Sequence, residues 1–335
     1  MRVLITGGAG YIGSHTAKRF AADGVEPVAF DNLVTGHRWA ARWGPLVVGD
    51  LADTDTIRAV LDQYHPEAVI HFAASAYVGE SVQHPRQYFR NNVIHSLNLL
   101  DAVIDAGVKY VVFSSSCTTY GDPQRLPLAE DHPQHAVSPY GESKLFVEHA
   151  LRWYSGPYGL RYAALRYFNA AGADPDGEIG EVHDPETHLI PLVIQAALGR
   201  RPTLDVYGTD YPTADGTAVR DYVHVADLAE AHVRALRFVM DKDENLQLNL
   251  GTGRGYSVRE VIAAVERIGG RPVPVRMGPR RAGDPAALVA DASAAATCLG
   301  WQPRVSDLDT IVSTAWRWHA ERQAVVEQAI PADSP

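Results

Sequence analysis

Short apolar runs alternate with amphipathic stretches through the first half of the chain. The runs that predict strands are Arg2–Thr6, residues 27–30, Leu46–Val48, residues 68–72 and residues 110–114. Near-continuous apolar runs of this length, separated by helical stretches, are typical of parallel strands that are buried on both faces. The pattern therefore predicts repeated βαβ units around a doubly wound parallel sheet, an α/β fold.

An apolar stripe lies between the last two of these runs. Five residues recur along it at intervals of three to five positions: Tyr88, Val93, Leu97, Leu100 and Ile104. This spacing predicts one face of an amphipathic helix. The face is compatible with packing on the sheet and with packing on a second subunit.

The second half of the chain has a different character. Further strands are predicted at residues 162–167 and at Leu246–Leu250, but from Asn169 onward loops rich in Gly, Pro and Asp interrupt the alternation. Such a change in composition predicts a second, loop-rich region.

Composition and charge exclude several classes of function. The 335 residues are 46% hydrophobic and 21% charged, with a net charge of −10 and with Lys and Arg scattered along the chain. We therefore expect no nucleic-acid or anionic-membrane partner, and no apolar stretch is long enough to span a bilayer. The two cysteines, Cys117 and Cys298, lack metal-ligand spacing. Free thiols favour a reducing compartment, so we expect a cytoplasmic protein without a metal site.

A glycine turn follows the first predicted strand. Gly7, Gly10 and Gly13 are spaced Gly-x-x-Gly-x-x-Gly, one position different from the usual dinucleotide fingerprint, and a helical stretch begins at Ser14. Free N–H groups and the dipole at a helix N-terminus favour a pyrophosphate, and glycine permits its close approach. Asp31 ends the next strand, where a carboxylate accepts hydrogen bonds from ribose hydroxyls and repels a 2′-phosphate. These features predict a Rossmann site for NAD rather than NADP.

A tyrosine and a lysine, Tyr140 and Lys144, are spaced to share one face of a helix. The pair is suited to general base catalysis, although a surface tyrosine beside a solvated lysine gives the same spacing. Lowering a phenol pKa from about 10 to near 7 requires about 4 kcal/mol, which Lys144 and a positive nicotinamide ring would supply together. Three serines, 114 to 116, end the fifth strand, where ligands bind in open α/β sheets. A serine there is able to orient the substrate proton, or it caps the strand end.

Several longer motifs resemble those of a known family. They are Thr6-Gly7-Gly8-Ala9-Gly10-Tyr11-Ile12-Gly13-Ser14-His15, Asp31-Asn32, Val78-Gly79-Glu80-Ser81, Ser114-Ser115-Ser116, Tyr140-x-x-x-Lys144, Arg166-Tyr167-Phe168-Asn169 and Asp215-Gly216-Thr217-x-x-Arg220-Asp221-Tyr222. From Met1 to about His319 the chain resembles the UDP-glucose 4-epimerases of the extended short-chain dehydrogenase/reductase family. The Asp-Gly-Thr-x-x-Arg-Asp-Tyr motif is far more specific than the glycine turn.

The resemblance implies a domain organisation and a partner. A seven-stranded NAD-binding Rossmann domain would comprise residues 1–168, with residues 220–250 returning to it. A smaller C-terminal α/β domain, residues 169–219 and 251–335, would bind the UDP-sugar. A homodimer would form through helices near residues 90–104 and 144–153.

The resemblance also implies roles for individual residues. The catalytic group would be Tyr140, Lys144 and Ser116, which is at the family's serine position. Residues expected to contact NAD are Gly7, Gly10, Tyr11, Ile12, Gly13, Asp31, Asn32, Asp50, Leu51, Phe72, Ala73, Asn91, Ser114, Tyr140, Lys144 and Tyr167. Residues expected to contact the UDP-sugar are Ser116, Tyr140, Asn169, His188, Leu189, Tyr207, Arg220, Arg281, Asp284 and Leu288. Arginines suit this role because a guanidinium pairs with two phosphate oxygens.

The implied reaction is inversion of the sugar at C4 through a 4-keto intermediate. Ala76 and His188 depart from the family pattern, in which a lysine and an asparagine are often found. His188 is either a phosphate ligand or an ordinary loop histidine. Leu288 lies where side-chain size limits the sugar, so we expect UDP-glucose and UDP-galactose as substrates, with the N-acetyl forms also possible.

Three other functions share this fold and cofactor. A nucleotide-sugar 4,6-dehydratase needs an acid and a base where this chain has Cys117 and Thr118, which are unsuited to that role. A non-catalytic NAD-binding sensor would typically lack the tyrosine or the lysine, and both are present. A dehydrogenase that releases NADH differs only in how it retains its cofactor.

Overall fold

A computed structural model of the protein describes residues 1–281 and 283–322. Its strands are β1 (Arg2–Thr6), β2 (Glu26–Asp31), β3 (Leu46–Val48), β4 (Ala68–His71), β5 (Tyr110–Ser116), β6 (Arg161–Tyr167), β7 (Asn169–Ala171), β8 (Leu204–Tyr207), β9 (Val219–His224), β10 (Leu246–Leu250), β11 (Gly255–Ser257), β12 (Val275–Gly278) and β13 (Ala287–Leu288). Its helices are α1 (Tyr11–Ala22), α2 (Thr54–Tyr64), α3 (Val78–Gln83), α4 (Pro85–Tyr88), α5 (His95–Asp105), α6 (Pro139–Tyr158), α7 (Leu189–Ala197), α8 (Val225–Lys242), α9 (Val258–Gly269), α10 (Ser293–Leu299) and α11 (Leu308–Arg317).

The larger sheet has seven parallel strands in the order β3-β2-β1-β4-β5-β6-β10. The seven stretches predicted as strands form it, and the predicted α/β fold is confirmed. The order reverses between β1 and β4, and ligands bind outside the carboxyl ends of the strands at such a point.

Both faces of the larger sheet are buried under helices. On β1, Val3 and Ile5 pack with Phe20 of α1 on one face, while Leu4 packs with Leu61 of α2 on the other. Helices α1 and α8 cover the first face, and α2, α5 and α6 cover the second. Because successive strand residues point to opposite faces, only a continuous apolar run satisfies both layers.

The predicted amphipathic helix contains a π-helical turn. Helix α4 is followed by a π-helical turn, Phe89–Ile94, and α5 begins only at His95. A π turn holds more residues than an α turn, which explains the five-residue gap between Tyr88 and Val93. Tyr88 and Leu100 are buried in the protein, while the other three residues of the stripe are half-buried. The predicted helix is therefore confirmed from Pro85 to Asp105, with a π-helical turn in its middle.

A smaller unit is built around β9, which pairs with β7, β11 and β13, and around the parallel pair β8 and β12. Helices α7, α9 and α11 enclose its core, which includes Val193, Val265 and Ile311. The chain returns to the larger sheet through α8 and β10, whereas β9 belongs to the smaller sheet. Residues 323–335, the end of the predicted C-terminal domain, lie outside the described residues. Among the described helices, none is long and apolar enough to cross a membrane.

Candidate active site

The glycine turn between β1 and α1 is packed closely on all sides. Gly7 has a positive φ of 70°, and a Cβ there would lie 2.7 Å from the backbone nitrogen of Ala73. A Cβ on Gly13 would collide with the carbonyl of Gly7. Tyr11, Ile12 and Gly13 form the first turn of α1, whose N–H groups have no preceding helical carbonyl to bond. The turn therefore fits the pyrophosphate of a dinucleotide.

Asp31 joins this turn to the end of β2. Its carboxylate accepts hydrogen bonds from the N–H groups of Ala9 at 3.0 Å and Leu33 at 2.9 Å. Burial raises the pKa of Asp31, although both N–H donors oppose that rise. Beside it, Asn32 Nδ2 donates to Asp50 Oδ2 at 2.8 Å, so these two predicted NAD contacts lie together.

The remaining predicted cofactor residues follow the ends of β3, β4, β5 and β6. Leu51 is buried after β3, and Phe72 follows β4 with its ring 4.7 Å from that of His232. The ring of Tyr167 lies 5.9 Å from the same histidine, and its hydroxyl bonds to that of Ser114. Asn91 Nδ2 donates to a serine hydroxyl at 3.3 Å in the loop after β4.

Helix α6 brings the predicted catalytic residues to this edge. Ser138 caps the helix by accepting the Gly141 N–H, which places Tyr140 and Lys144 in its first turns. Lys144 is 3% exposed, its Nζ donates to the carbonyl of Ser114 at 2.8 Å and it lies 5.8 Å from the centre of the Tyr140 ring. Ser116 lies at the end of β5, and its hydroxyl acts to lower the pKa of Tyr140. The alternative of a solvated surface pair is therefore wrong.

Burial shifts the pKa values of Tyr140 and Lys144 in opposite directions. Burial raises the pKa of Tyr140 to about 12, and the Ser116 hydroxyl only partly opposes that rise. Burial lowers the pKa of Lys144 to about 7. Lys144 therefore does not lower the Tyr140 pKa by itself, because a desolvated ammonium is itself difficult to keep charged.

A buried ion pair lies beneath the catalytic residues. Glu148, four residues after Lys144 on α6, accepts hydrogen bonds from Arg166 Nε at 2.9 Å and Nη2 at 2.5 Å and from Ser115 Oγ at 2.5 Å. The guanidinium of Arg166 also donates to Tyr120 Oη at 3.0 Å. These bonds join α6 to β5 and β6 directly below the edge that carries Lys144.

Five of the predicted substrate residues meet in the smaller unit. Arg220 on β9 forms an ion pair with Asp284 and is paired in register with Leu288 on β13. The guanidinium of Arg281 lies 4.0 Å from the centre of the exposed Tyr207 ring. Arg280, by contrast, bonds to Asp210 and packs over Tyr211. The arrangement offers two cations and an aromatic face, which suits a nucleoside diphosphate.

The two aspartates of the Asp-Gly-Thr-x-x-Arg-Asp-Tyr motif stabilise the fold by accepting backbone hydrogen bonds. Asp221 is fully buried and accepts the N–H groups of Thr252, Gly253 and Ala290. Asp215 accepts the Thr217 N–H at 2.9 Å. Of the charged residues in this motif, Arg220 faces the other predicted substrate residues.

The remaining predicted substrate residues lie at the ends of β6 and α7. Asn169 begins β7, and Leu189 begins α7 directly after His188. His188 Nδ1 lies 2.8 Å from Glu181 Oε1 and 3.0 Å from Glu186 Oε1. Burial alone would lower the pKa of His188, but the two glutamates outweigh it and raise that pKa to about 10. His188 is therefore part of a charged cluster and not an isolated loop histidine.

Residues 3–251 match the model of the NAD dependent epimerase/dehydratase family. The chain belongs to this family. Its relatives include a UDP-glucose 4-epimerase of Rhizobium meliloti (strain 1021), which is 50% identical over 320 residues, 96% of this chain and 97% of the relative.

Two solved structures of the family are similar over nearly the whole chain. One is a UDP-glucose 4-epimerase from Brucella ovis in complex with NAD, with a TM-score of 0.92, 56% identity and coverage of 94% of this chain and 97% of that one. The other, from Bifidobacterium longum in complex with NAD+ and UDP, has a TM-score of 0.91, 38% identity and coverage of 96% and 99%.

The sequence analysis did not predict three groups of residues near the site of this member of the epimerase/dehydratase family. His232 is fully buried between Phe72 and Tyr167, and no short-range spacing in the sequence indicates that contact. The Glu148–Arg166 pair joins residues 18 positions apart. The signal for the third group, Glu181-x-His183-x-x-Glu186-x-His188, is visible in the sequence, but only His188 is among the predicted site residues.

Proposed function

We propose that the protein is a UDP-glucose 4-epimerase, an isomerase that inverts C4 of a UDP-hexose through a 4-keto intermediate. The observation that carries this proposal is the grouping of Tyr140, Ser116 and Lys144 at the carboxyl edge of the sheet, where Lys144 Nζ lies 5.8 Å from the centre of the Tyr140 ring. Arg220 and Leu288 border this group, since Arg220 acts to lower the pKa of the Cys117 thiol and Leu288 packs against the apolar cluster that contains Cys117.

The cofactor is NAD, held at the glycine turn, at Asp31 and Asn32 and along the ends of β3 to β6. When bound there, NAD would supply the acceptor and donor of the C4 hydride and a positive charge near Tyr140. Lys144 does not lower the Tyr140 pKa alone.

The protein's own residues bind the substrate and move its proton. Tyr140 takes the proton from the C4 hydroxyl and later gives it back, while Ser116 orients that hydroxyl. Arg220 and Arg281 hold the diphosphate. Because the cations gather at the nucleotide end, the keto sugar is free to turn about its linkage and present either face.

The first experiment follows the anomeric protons of UDP-galactose by NMR, with purified protein and no added NAD. We expect UDP-glucose to form, because the epimerase returns its hydride to the same sugar and needs no external cofactor. Tyr140→Phe should lower kcat by about 10²–10⁴-fold while UDP binding is unchanged. Release of NADH, or loss of the C6 hydroxyl, would refute epimerisation in favour of a dehydrogenase or a dehydratase.

Leu288 is proposed to set the size of sugar accepted. Its side chain is half-buried beside Arg220. We expect UDP-glucose and UDP-galactose to react, UDP-N-acetylhexosamines to react more slowly, and Leu288→Tyr to suppress the N-acetyl sugars selectively. Equal effects of Leu288→Tyr on both sugar classes would contradict this role.

Domain organisation and assembly complete the proposal. Residues 1–168, together with α8 and β10, would form the NAD domain. Residues 169–219, β9 and residues 251–322 would form the substrate domain, because β9 belongs to the smaller sheet and not to the predicted return at 220–250. Phe146 is 51% exposed and Trp153 is 73% exposed on α6, which supports a homodimer through α5 and α6. Sedimentation of Phe146→Glu should yield monomers, and an unchanged mass relative to wild type would oppose this interface.

The two free cysteines support a cytoplasmic location. Fractionation of cells that produce the protein tests this, and recovery outside the cytoplasm would contradict it.

A further inference from the structure

Loop 181–188 gathers two histidines and two glutamates outside the proposed catalytic group. The donor atoms of Glu181, His183, Glu186 and His188 all lie within 4.8 Å of one another. His188 Nδ1 is 2.8 Å from Glu181 Oε1, and His183 Nδ1 is 3.2 Å from the same oxygen and 3.7 Å from Glu186 Oε2. Four donors from one eight-residue segment thus face a common centre.

We propose that Glu181, His183, Glu186 and His188 bind one divalent transition-metal ion of the zinc class. Imidazole nitrogens and carboxylate oxygens are the donors that zinc takes in a tetrahedral site. Zinc–ligand distances of about 2.0–2.2 Å imply donors about 3.3–3.6 Å apart, close to the separations in this cluster. Calcium and magnesium prefer oxygen donors alone, so the two histidines favour a transition metal.

Charge in the cluster also favours a cation. Glu181 and Glu186 place two carboxylates in a largely buried site, where they need two positive charges nearby. A divalent cation would neutralise the two carboxylates, as two protonated histidines do. His183 Nδ1 is buried without a well-aligned hydrogen bond, which leaves this nitrogen available as a metal ligand.

Aromatic rings enclose the cluster and connect it with the neighbouring elements. The Tyr11 and Tyr77 rings meet His183 edge-on at 6.5 Å and 6.1 Å, and the Tyr11 hydroxyl donates to Gly172 O at 2.6 Å. Helix α7 begins directly after His188. A bound ion would therefore fix the segment that leads into α7 and that packs on Tyr11 at the start of α1.

A second acidic group provides a contrast within the same chain. Asp174, Asp176 and Glu178 also lie close together, but each carboxylate is 2.8 Å from Lys18 Nζ. The ammonium already occupies the position a cation would take, so this group is not expected to bind a metal.

The test measures metal binding directly. It uses untagged, full-length protein from which bound metal has been removed with EDTA and dialysis. Titration with Zn²⁺ and elemental analysis should give one tightly held ion per chain, and Co²⁺ should give the intense visible absorption of a tetrahedral site. The His183→Ala variant should weaken Zn²⁺ binding by at least about 100-fold. His135→Ala, an exposed histidine elsewhere, and Asp176→Asn should bind as the wild type does.

The alternative is that the two histidines, when protonated, neutralise the two carboxylates without any metal ion. Weak, substoichiometric Zn²⁺ binding by the wild type would overturn the proposal, as would equal binding by His183→Ala and His135→Ala. Circular dichroism tests whether His183→Ala is folded. Glu186→Gln is a second, nearly isosteric variant that should also weaken Zn²⁺ binding. The metal readout does not depend on sugar turnover, so its failure leaves the epimerase proposal intact.

Discussion

Removing the charge of Glu148 should destabilise the protein strongly. Glu148 is 1% exposed and Arg166 is 2% exposed, and the guanidinium places two of its hydrogen bonds on this carboxylate. In Glu148→Gln the guanidinium stays buried without a counter-charge, which costs about 3–5 kcal/mol. That is a large share of a typical stability of about 5–15 kcal/mol. Lys144 lies one helical turn from Glu148, so we expect the loss of the ion pair also to disturb the catalytic edge of the sheet.

The measurement is urea unfolding followed by tryptophan fluorescence, with Glu148→Gln, Arg166→Met and the double variant compared at equal m-values. We expect each single variant to lose about 3–5 kcal/mol of unfolding free energy. The double variant should lose at least about 2 kcal/mol less than the sum of the two, because it leaves no unpaired charge. A loss below about 1 kcal/mol in Glu148→Gln, or strictly additive losses, would refute this account of the pair.

Three further predictions concern the cofactor turn, the buried lysine and the diphosphate site. Gly13→Ala should weaken NAD binding by at least about tenfold, measured by calorimetry, because its Cβ would collide with the Gly7 carbonyl; Gly156→Ala, with open space around it, should bind NAD normally. Lys144 has a pKa near 7 in the fold against 10.5 when free, so the unfolded chain binds more protons between these values and stability should rise with pH across that window. Lys144→Met should lack this rise in pH-dependent unfolding, and an identical profile would show that another group titrates. Arg220→Met should weaken UDP binding by roughly 10–100-fold without changing NAD affinity, and equal losses for both ligands would indicate general disruption.

Local chemistry in the sequence was enough to predict the larger sheet and the cofactor turn. The seven strands are near-continuous apolar runs. Gly7, Gly10 and Gly13 lie between a strand and a helix, and Asp31 ends the next strand, which together predict the dinucleotide site. Tyr140 and Lys144 were predictable for the same reason, since four residues on a helix bring side chains together whatever surrounds them.

The tertiary structure decided everything that depends on contacts between distant segments. It placed His232 between Phe72 and Tyr167, and it joined Glu148 to Arg166 across two elements. It also set the charges, because burial raises the Tyr140 pKa and lowers that of Lys144, and the extent of burial is not encoded in local spacing. Residue type and short-range spacing thus fixed which groups are available for chemistry, whereas desolvation and long-range packing determined their partners and their ionisation.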